Sequence, residues 1–252
     1  MMTRRKFLTL GLLAVPTAVG ADTRYIEPTN VCVKKLDLNP GGTLRFAQFS
    51  DFHFKGDDRY ARTVIELINA QSPDFVCFTG DLVEDGAFAP AALDLVRQIK
   101  SPVYGSPGNH DYLCGAPFSI YEEAFADTGG AWLVDCSLVL PKHDLEIVGM
   151  GRMGLQDFKI PRAPRRILLQ HYPSLADHMN DTVFDLILAG HSHGGQIRLP
   201  FFGPLVLPVG VGAYDLGRFE TKSGPLYVNA GIGTYHIPLR FNCRPEITVV
   251  TI

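Results

Sequence analysis

The chain lacks the basic excess that marks most proteins that bind nucleic acids. Its 252 residues include 23 lysines and arginines against 26 aspartates and glutamates, so the formal net charge at pH 7 is −3. Proteins attract DNA and RNA mainly by neutralising phosphates with basic side chains. A nucleic-acid partner is therefore not expected, and the function has to be sought in the motifs.

Cysteine is scarce and shows no metal-binding pattern. The five cysteines include no CxxC pair, so the zinc and redox sites that need this spacing are not expected. If the protein is exported, an odd number leaves at least one thiol unpaired within the chain, and any disulfide remains open. We assign none of these residues to a metal; they are Cys32, Cys77, Cys114, Cys136 and Cys243.

The N-terminus lacks a hydrophobic run long enough to cross a membrane. Residues 7–19 are uncharged and mostly apolar, but a spanning helix needs roughly 20 such residues. Basic residues precede the run and small residues follow it, which is typical of an export signal. The twin arginine, Arg4 and Arg5, is similar to that of twin-arginine (Tat) signals, so residues 1–21 are expected to direct export by that route. An ordinary Sec signal or an uncleaved anchor is the alternative.

The rest of the chain has neither internal repeats nor low-complexity tracts. Hydrophobic residues make up 46% and charged residues 19%, which is typical of a folded globular protein with a substantial core. We expect residues 22–43 to form a linker or a leading edge strand. Residues 44–252 are expected to form one domain, whose two halves meet near residue 130.

Hydrophobic patterns predict an α/β fold. In the first half, strands are predicted at 44–49, 75–79 and 103–106, and helices at 59–70 and 89–99. This alternation is typical of α/β units with a parallel sheet. In the second half mainly short strands are predicted, at 132–134, 138–140, 145–148, 167–170, 184–189 and 247–252. The expected architecture is two packed mixed β-sheets with helices on their outer faces.

Side chains able to bind metals follow five of the predicted strands. They are Asp51, His53, Asp81, Asn109, His110, Asp111, His171, His191 and His193. Because the carboxyl ends of strands in α/β sheets converge on one rim, these side chains are expected to meet there. Gly80, Gly108 and Gly190 allow the chain to turn sharply beside them.

The residue types at these positions favour a site for two divalent metal ions. Carboxylate, imidazole and amide groups together suit Mn²⁺, Fe or Zn²⁺ better than Ca²⁺. Two ions about 3.5–4 Å apart can stabilise both the attacking and the leaving oxygen in a displacement at phosphorus. Holding them so close requires a bridging carboxylate, for which Asp81 is the natural candidate. Water on such an ion can ionise near pH 7 and supply a bridging hydroxide for in-line attack, so the pattern predicts a phosphoester hydrolase.

The motif order resembles the calcineurin-like metallophosphoesterase superfamily, whose pattern is Asp-x-His, Gly-Asp, Gly-Asn-His-Asp/Glu, a single His and Gly-His-x-His. The resemblance covers residues 51–193 and implies a four-layer sandwich. It implies one ion held by Asp51, His53, Asp81 and His193, and a second held by Asp81, Asn109, His171 and His191. It also implies that His110 protonates the leaving alkoxide and steadies the phosphoryl oxygens, with Asp111 orienting it.

Residues 190–203, 227–233 and 240–246 resemble a subfamily of exported or membrane-associated bacterial phosphodiesterases. That subfamily is related to pyrophosphatases acting on UDP-2,3-diacylglucosamine in lipid A synthesis. The resemblance implies a phosphodiester substrate, with a lipid-linked pyrophosphate at the membrane as the alternative. The apolar run 201–208 could then be an exposed wedge for acyl chains or membrane; a buried hairpin would explain it equally well. Glu84 stands where purple acid phosphatases have a tyrosine ligand, so that branch is excluded.

Some residues and one rival function stay open. Arg198, Arg240 and Arg244 could meet a substrate phosphate or make ordinary ion pairs. His236 could line the pocket or simply pack. A non-catalytic scaffold would also use this fold, although all seven predicted ligands and the candidate acid are present.

Overall fold

The computed structural model describes residues 19–151, 163–179 and 182–252. Most of the predicted export signal, residues 1–18, lies outside the described residues, so that assignment stays a prediction. Within the described ranges no helix has both the length and the apolar character needed to cross a bilayer.

Besides a helical segment at its start that includes the π-helix Asp22–Ile26, the described chain contains short strands, four α-helices and several 3₁₀ helices. The strands are β1 (Cys32–Asp37), β2 (Arg45–Phe49), β3 (Phe75–Phe78), β4 (Val103–Gly105), β5 (Ala131–Trp132), β6 (Cys136–Leu140), β7 (Leu145–Gly149), β8 (Arg165–Leu169), β9 (Leu186–Ala189), β10 (Arg198–Leu199), β11 (Gly203–Pro204), β12 (Gly217–Thr221), β13 (Gly224–Val228) and β14 (Glu246–Thr251). The α-helices are α1 (Asp58–Ala70), α2 (Ala89–Val96), α3 (Asn109–Leu113) and α4 (Phe118–Asp127).

Two six-stranded mixed sheets form the framework. The first has the order β1-β14-β2-β3-β4-β5, in which β2 to β5 run parallel and β14 is antiparallel to β2. The second has the order β12-β13-β9-β8-β7-β6, in which β13, β9, β8 and β7 run parallel. The first and last strands of the described chain, β1 and β14, are neighbours in the first sheet, so both ends of the described chain belong to that sheet. The predicted α/β class with two packed mixed sheets is confirmed.

The apolar core has three layers. Between the sheets, Phe46 and Phe75 stack at 4.8 Å and are buried with Leu169 and Leu188 of the second sheet. On the outer face of the first sheet, helices α1, α2 and α4 cover a second cluster. A third cluster lies on the outer face of the second sheet, where the described cover includes the 3₁₀ helix Pro173–Asp177. Burial on both faces explains why β3 and β9 are continuously apolar rather than alternating.

Two helices were missing from the sequence prediction. Helix α4 buries Tyr121, Ala124 and Phe125, which have the spacing of one helical face, and it begins after Pro117. That signal was present in the sequence. The five-residue helix α3 carries no such periodicity, because its polar residues face the site rather than a core. The helical conformation of α3 therefore depends on tertiary contacts rather than on its own sequence pattern.

Buried polar contacts join the carboxyl ends of strands from the two sheets. Gln48 at the end of β2 donates from Nε2 to the hydroxyl of Thr79, just after β3, at 3.2 Å. The same amide donates to the carbonyl of Ala189, the last residue of β9, at 3.1 Å. The loops that follow these strands are thereby held at one common edge.

The five cysteines are all free. Cys77 and Cys243 are buried, and burial raises the pKa of both thiols. No disulfide therefore contributes to the fold described here.

Arg240 is a wholly buried structural residue. Its guanidinium donates to the carbonyls of Ala230, Gly231 and Gly233 at 2.9, 3.1 and 2.6 Å, and to that of Cys243 at 3.0 Å. These bonds commit both terminal nitrogens of the buried guanidinium to backbone oxygens, so it is not placed to meet a substrate phosphate.

Arg240 holds residues 230–233, and this segment supports Asp51. The amide of Ile232 donates to the carbonyl of Ser50 at 3.0 Å, and that of Gly233 donates to the carbonyl of Asp51 at 2.7 Å. The two other arginines left open also have partners. Arg198 pairs with Asp215 at 2.8 Å, and Arg244 donates to the backbone and side chain of Asn30.

Replacing Arg240 with methionine should lower the free energy of unfolding by at least about 2 kcal/mol, because several buried carbonyls lose their donors. Urea unfolding measures this. The control Arg218→Met removes an exposed arginine paired with Glu220, and should change stability by less than about 1 kcal/mol. Unchanged stability of Arg240→Met together with lost hydrolysis would instead assign Arg240 to the substrate.

Candidate metal centre

All nine predicted site residues lie at the common edge of the two sheets, in the segments that follow the strands. Asp51 and His53 follow β2, Asp81 follows β3, and the three residues of the Asn109 motif begin α3. His171 follows β8, and the remaining two histidines follow β9. Parallel neighbours place these loops side by side, so the predicted convergence is observed.

A first cluster contains Asp51, His53 and His193. One ligand atom from each lies within 4.8 Å of the others, and all three residues are buried. The imidazole Nε2 of His193 is 3.4 Å from Asp51 Oδ1. These residues come from two different sheets, which explains why they are 142 positions apart in sequence but adjacent here.

A second cluster contains Asp81, His171 and His191, again buried and within 4.8 Å of one another. His171 Nε2 is 3.2 Å from Asp81 Oδ2 and 3.2 Å from His191 Nδ1. The far nitrogens of both rings meet carbonyl oxygens: Thr79 O at 2.8 Å from His171 Nδ1, and Val209 O at 2.8 Å from His191 Nε2. A carbonyl only accepts, so those outer nitrogens carry protons, which fixes the orientation of both rings and turns the inner nitrogens toward Asp81 and toward each other.

Asp81 touches both clusters. Its Oδ2 is 3.2 Å from His171 and 3.6 Å from His53 Nε2, while its Oδ1 accepts the backbone N–H of His110 at 2.7 Å. It also forms a third group of nearby ligand atoms with His53 and His110. One carboxylate is therefore shared between the two clusters of potential ligands, while its bridging role stays a prediction.

Unpartnered buried atoms indicate that the site is built for metal ions. Both ring nitrogens of His53, Nδ1 of His193 and Oδ1 of Asn109 are buried without a hydrogen-bond partner. Buried polar atoms are normally paired, because an unpaired one costs about 1–3 kcal/mol. The donor set of carboxylate, imidazole and amide oxygen suits Mn²⁺, Fe or Zn²⁺, so the residues present fit such ions.

The buried carboxylates and imidazoles of the two clusters shift one another's pKa values. Burial alone would raise the pKa of Asp81, but the positive charges of His171 and His53 hold it below its usual value. Burial opposes protonation of His171, yet Asp81 raises its pKa to about 9. Burial, together with the charge of His171, lowers the pKa of His191 to about 4. Contact with Asp81 thus favours a positive charge on His171, whereas burial beside His171 disfavours one on His191.

The backbone is strained at the predicted ligands. Among the described residues, five of the seven predicted ligands are non-glycine residues with positive φ: Asp51 (51°), His53 (44°), Asp81 (62°), His191 (67°) and His193 (49°). Such a conformation costs about 1–2 kcal/mol per residue. Strain of this kind persists where surrounding bonds impose it and is concentrated at functional sites. The concentration of positive φ values here therefore points to these five residues as functional, independently of their side-chain chemistry.

Gly108 and Gly190 are required by close approach rather than by a turn. A Cβ at Gly108 would overlap the carboxylate and backbone of Asp81, and one at Gly190 would overlap Ser50 and the Asp51 carboxylate. Of the three glycines named from the sequence, only Gly80 has a positive φ, at 91°. A backbone conformation that favours glycine is therefore needed at Gly80, whereas at the other two positions the absence of a Cβ is what the packing requires.

Asp111 holds the loops rather than the His110 ring. Its Oδ2 accepts the backbone N–H groups of Asp81 and Gly108, both at 2.8 Å, and its Oδ1 accepts that of Leu82 at 2.9 Å. Within the described structure these bonds run to the backbone and none reaches the imidazole of His110. The orienting role of Asp111 stays a prediction, and these bonds would let it act through the position of the backbone rather than through the ring.

His110 lies half-buried at the open side of the clusters. Its ring centroid is 5.1 Å from that of His53 and 4.9 Å from that of Tyr235. Burial lowers the pKa of His110, while the charges of Asp81 and Glu84 act in the opposite direction. It is close enough to both clusters to reach a group bound between them.

Sequence reasoning missed several contributors to the site. Tyr235 packs against the rings of His53 and His110, and its backbone N–H donates to Gln196 at 2.7 Å. Glu84 lies 3.3 Å from His53 Nδ1, outside hydrogen-bond geometry, and 2.8 Å from Lys55. Its contact with His53 lowers the pKa of the Glu84 carboxyl to about 2. No local motif marks Tyr235, because long-range packing brings it here, whereas Glu84 lies only three residues after Asp81 and its contact with His53 was not predicted.

Comparison with known proteins identifies relatives over the whole chain. A family model described as calcineurin-like phosphoesterase matches residues 44–195. The uncharacterized metallophosphoesterase YkuE of Bacillus subtilis is 35% identical, covering 100% of this chain and 98% of that protein. The phosphodiesterase YaeI of Escherichia coli is 29% identical, covering 99% of each. The UDP-2,3-diacylglucosamine pyrophosphatase LpxG of Chlamydia trachomatis is 26% identical, covering 95% of this chain and 94% of that protein.

Proposed function

The chain belongs to the calcineurin-like phosphoesterase family and is a metal-dependent phosphoester hydrolase, and on this premise we propose that it cleaves phosphodiesters with two divalent ions. The observation that carries the proposal is the Asp81 carboxylate, shared between two clusters of metal-binding side chains. The similarity to YaeI, whose name describes a phosphodiesterase, supports a diester substrate.

Seven residues are proposed to hold the ions. One set is Asp51, His53, Asp81 and His193, and the other is Asp81, Asn109, His171 and His191. The clusters support six of them, and the unpartnered buried Oδ1 of Asn109 supports the seventh. Divalent ions bound there would supply Lewis-acid stabilisation of the phosphoryl charge and would lower the pKa of a water molecule. Mn²⁺, Fe and Zn²⁺ are the candidates, and cellular availability decides among them as much as affinity does.

The protein's own part in the reaction is to position and to transfer a proton. Thr79 and Val209 fix the orientation of the two histidine rings of the second cluster through their carbonyls. His110 is proposed to donate a proton to the leaving alkoxide. Burial lowers its pKa, but a phosphate anion bound beside it would raise that pKa again and favour the protonated form.

The reaction is proposed to occur outside the cytoplasm. The basic residues, the uncharged run and the small residues of segment 1–21 support export, and the twin arginine supports the Tat route. Because that route exports folded proteins, metal could be loaded before export. Fusing residues 1–21 to a reporter protein tests the route. If the Tat route is used, a control fusion with Arg4→Lys and Arg5→Lys should lose export of the reporter.

Replacing Asp81 with alanine should reduce the metal content from about two ions per chain to none and abolish hydrolysis of bis(p-nitrophenyl) phosphate, because both sets lose their common ligand. Elemental analysis and the assay measure the two effects. Asp94→Ala, an exposed aspartate on α2, is the control and should change neither. Undiminished turnover by Asp81→Ala would refute the site assignment.

Replacing His110 with alanine should keep the metal content and lower kcat by about 10²–10⁴-fold, as expected for loss of a general acid. His178→Ala removes an exposed histidine outside the site and should leave both quantities unchanged. If metal content falls together with the rate of His110→Ala, then His110 is a ligand and its proposed role is wrong.

A second candidate function is hydrolysis of a lipid-linked phosphoester or pyrophosphate. A groove of about 450 Å³ shares His193 and Tyr235 with the metal centre, and Leu205, Val206 and Ile237 contribute apolar walls. The size and character of this groove suit an aliphatic chain attached to a phosphoryl group. The similarity to LpxG, named for a diacylated substrate, supports the same reading.

If the groove binds an acyl chain, Leu205→Ser combined with Ile237→Ser should raise KM for a long-chain phosphodiester by about 10-fold or more, because apolar contacts are lost. The KM for bis(p-nitrophenyl) phosphate should stay the same. The control Leu138→Ser changes an exposed leucine on β6. Equal KM values for the long-chain substrate in wild type and double variant would exclude this second function.

A further inference from the structure

An exposed apolar segment, residues 199–209, projects beside the metal centre; we refer to it as the apolar arm. Phe201 and Phe202 are 104% and 86% exposed, and Val209 is 95% exposed. Leu199, Leu205 and Val206 are exposed as well. The alternative of a buried hairpin is therefore wrong, since these side chains pack against little of the described protein. Concentration of so many large exposed apolar residues in one segment indicates an interaction surface.

Hydrogen bonds fix the conformation of the arm at both of its ends. Strands β10 and β11 form its base, and the N–H of Leu205 donates to the carbonyl of Ile197 at 3.0 Å. At its far end the Val209 carbonyl accepts from His191, at 2.8 Å, while the Val209 side chain faces outward. The exposed apolar surface is thereby fixed to a predicted metal ligand by a single residue.

Charge is absent from the arm. From Leu199 to Tyr214 the sequence contains no acidic, basic or histidine residue. The flanking charges, Arg198 and Asp215, pair with each other at 2.8 Å. Interfaces with soluble proteins keep a polar, hydrogen-bonding rim and use arginine as well as aromatic anchors. An uncharged aromatic tip is better suited to the acyl region of a lipid bilayer.

The N-terminal segment reaches the same region. The carbonyl of Thr23 accepts the N–H of Arg240 at 3.0 Å, and the carbonyl of the next residue, Phe241, accepts the N–H of Arg198 at the base of the arm. Tyr25 and Ile26 are exposed on this segment. The uncharged run of residues 7–19 directly precedes it in sequence. The uncharged run 7–19 is thus followed directly by a segment that is hydrogen-bonded next to the base of the arm.

We propose that the apolar arm docks the protein on the surface of a lipid bilayer, with Phe201 and Phe202 inserted among the acyl chains. The arm's link through Val209 to His191 then sets the metal centre close to the level of the lipid headgroups, where phosphoesters of amphiphiles are found. Hydrolysis of such phosphoesters at the bilayer rests on the proposed function, but docking itself does not.

Vesicle flotation tests the docking. The full chain is used with Leu10→Asp and Leu13→Asp, which remove the apolar character of the N-terminal run, and vesicles contain phosphatidylethanolamine and phosphatidylglycerol. This background should float with the vesicles. Adding Phe201→Ser and Phe202→Ser should weaken its partition coefficient by about 10-fold or more. A matched pair of changes at exposed positions of β6, Leu138→Ser and Val139→Ser, should leave it unchanged.

The outcomes separate docking from catalysis. Hydrolysis of bis(p-nitrophenyl) phosphate should be the same in all these variants, because the arm's tip lies outside the metal-binding residues. Absence of hydrolysis throughout, with intact flotation, would contradict the proposed function and leave docking standing. No flotation of the background, or equal flotation after the two phenylalanine changes, would overturn the docking proposal. So would a self-association, measured by sedimentation velocity, that these changes abolish while vesicles are not bound.

Discussion

The buried carboxylate of Asp81 is the constraint on which the rest of the site depends. Both of its oxygens are committed, one to the backbone of His110 and the other to the side of His53 and His171. Asp111 fixes the backbone around it through three N–H donors. Because one acidic group serves two clusters, each neighbouring loop has to meet the others at one point. The packing of the two sheets supplies that meeting point.

Stability and function compete at this edge. Buried histidine nitrogens without partners and a left-handed backbone at most of the predicted ligands are both destabilising. The surrounding framework offsets these costs with dense apolar layers and with the buried guanidinium of Arg240, which secures the segment behind Asp51. Metal ions would relieve part of the cost directly, since they give the orphaned atoms partners and the clustered carboxylates a counter-charge.

Much of this could be predicted from the sequence, for identifiable reasons. Apolar runs predict β3 and β9 because each is buried on both faces, and motif residues directly after strands predict a shared edge. The role of Arg240 and the approach of Tyr235 to His110 could not be predicted, since both depend on loops distant in sequence. The contact of the Val209 carbonyl with His191 could not be predicted either, because any residue type can supply a backbone acceptor. The exposure of the apolar arm needed the structure, as its composition fits a buried hairpin too.

Anomalous X-ray diffraction from crystals grown with MnCl₂ tests the central claim most directly. If Asp81 is shared by two ions, data collected with sufficient manganese anomalous signal should contain two peaks about 3.5–4 Å apart, one on each side of its carboxylate. The first peak should lie among Asp51, His53 and His193, and the second among Asn109, His171 and His191. A single peak, or peaks bound elsewhere on the chain with none at Asp81, would contradict the two-ion account.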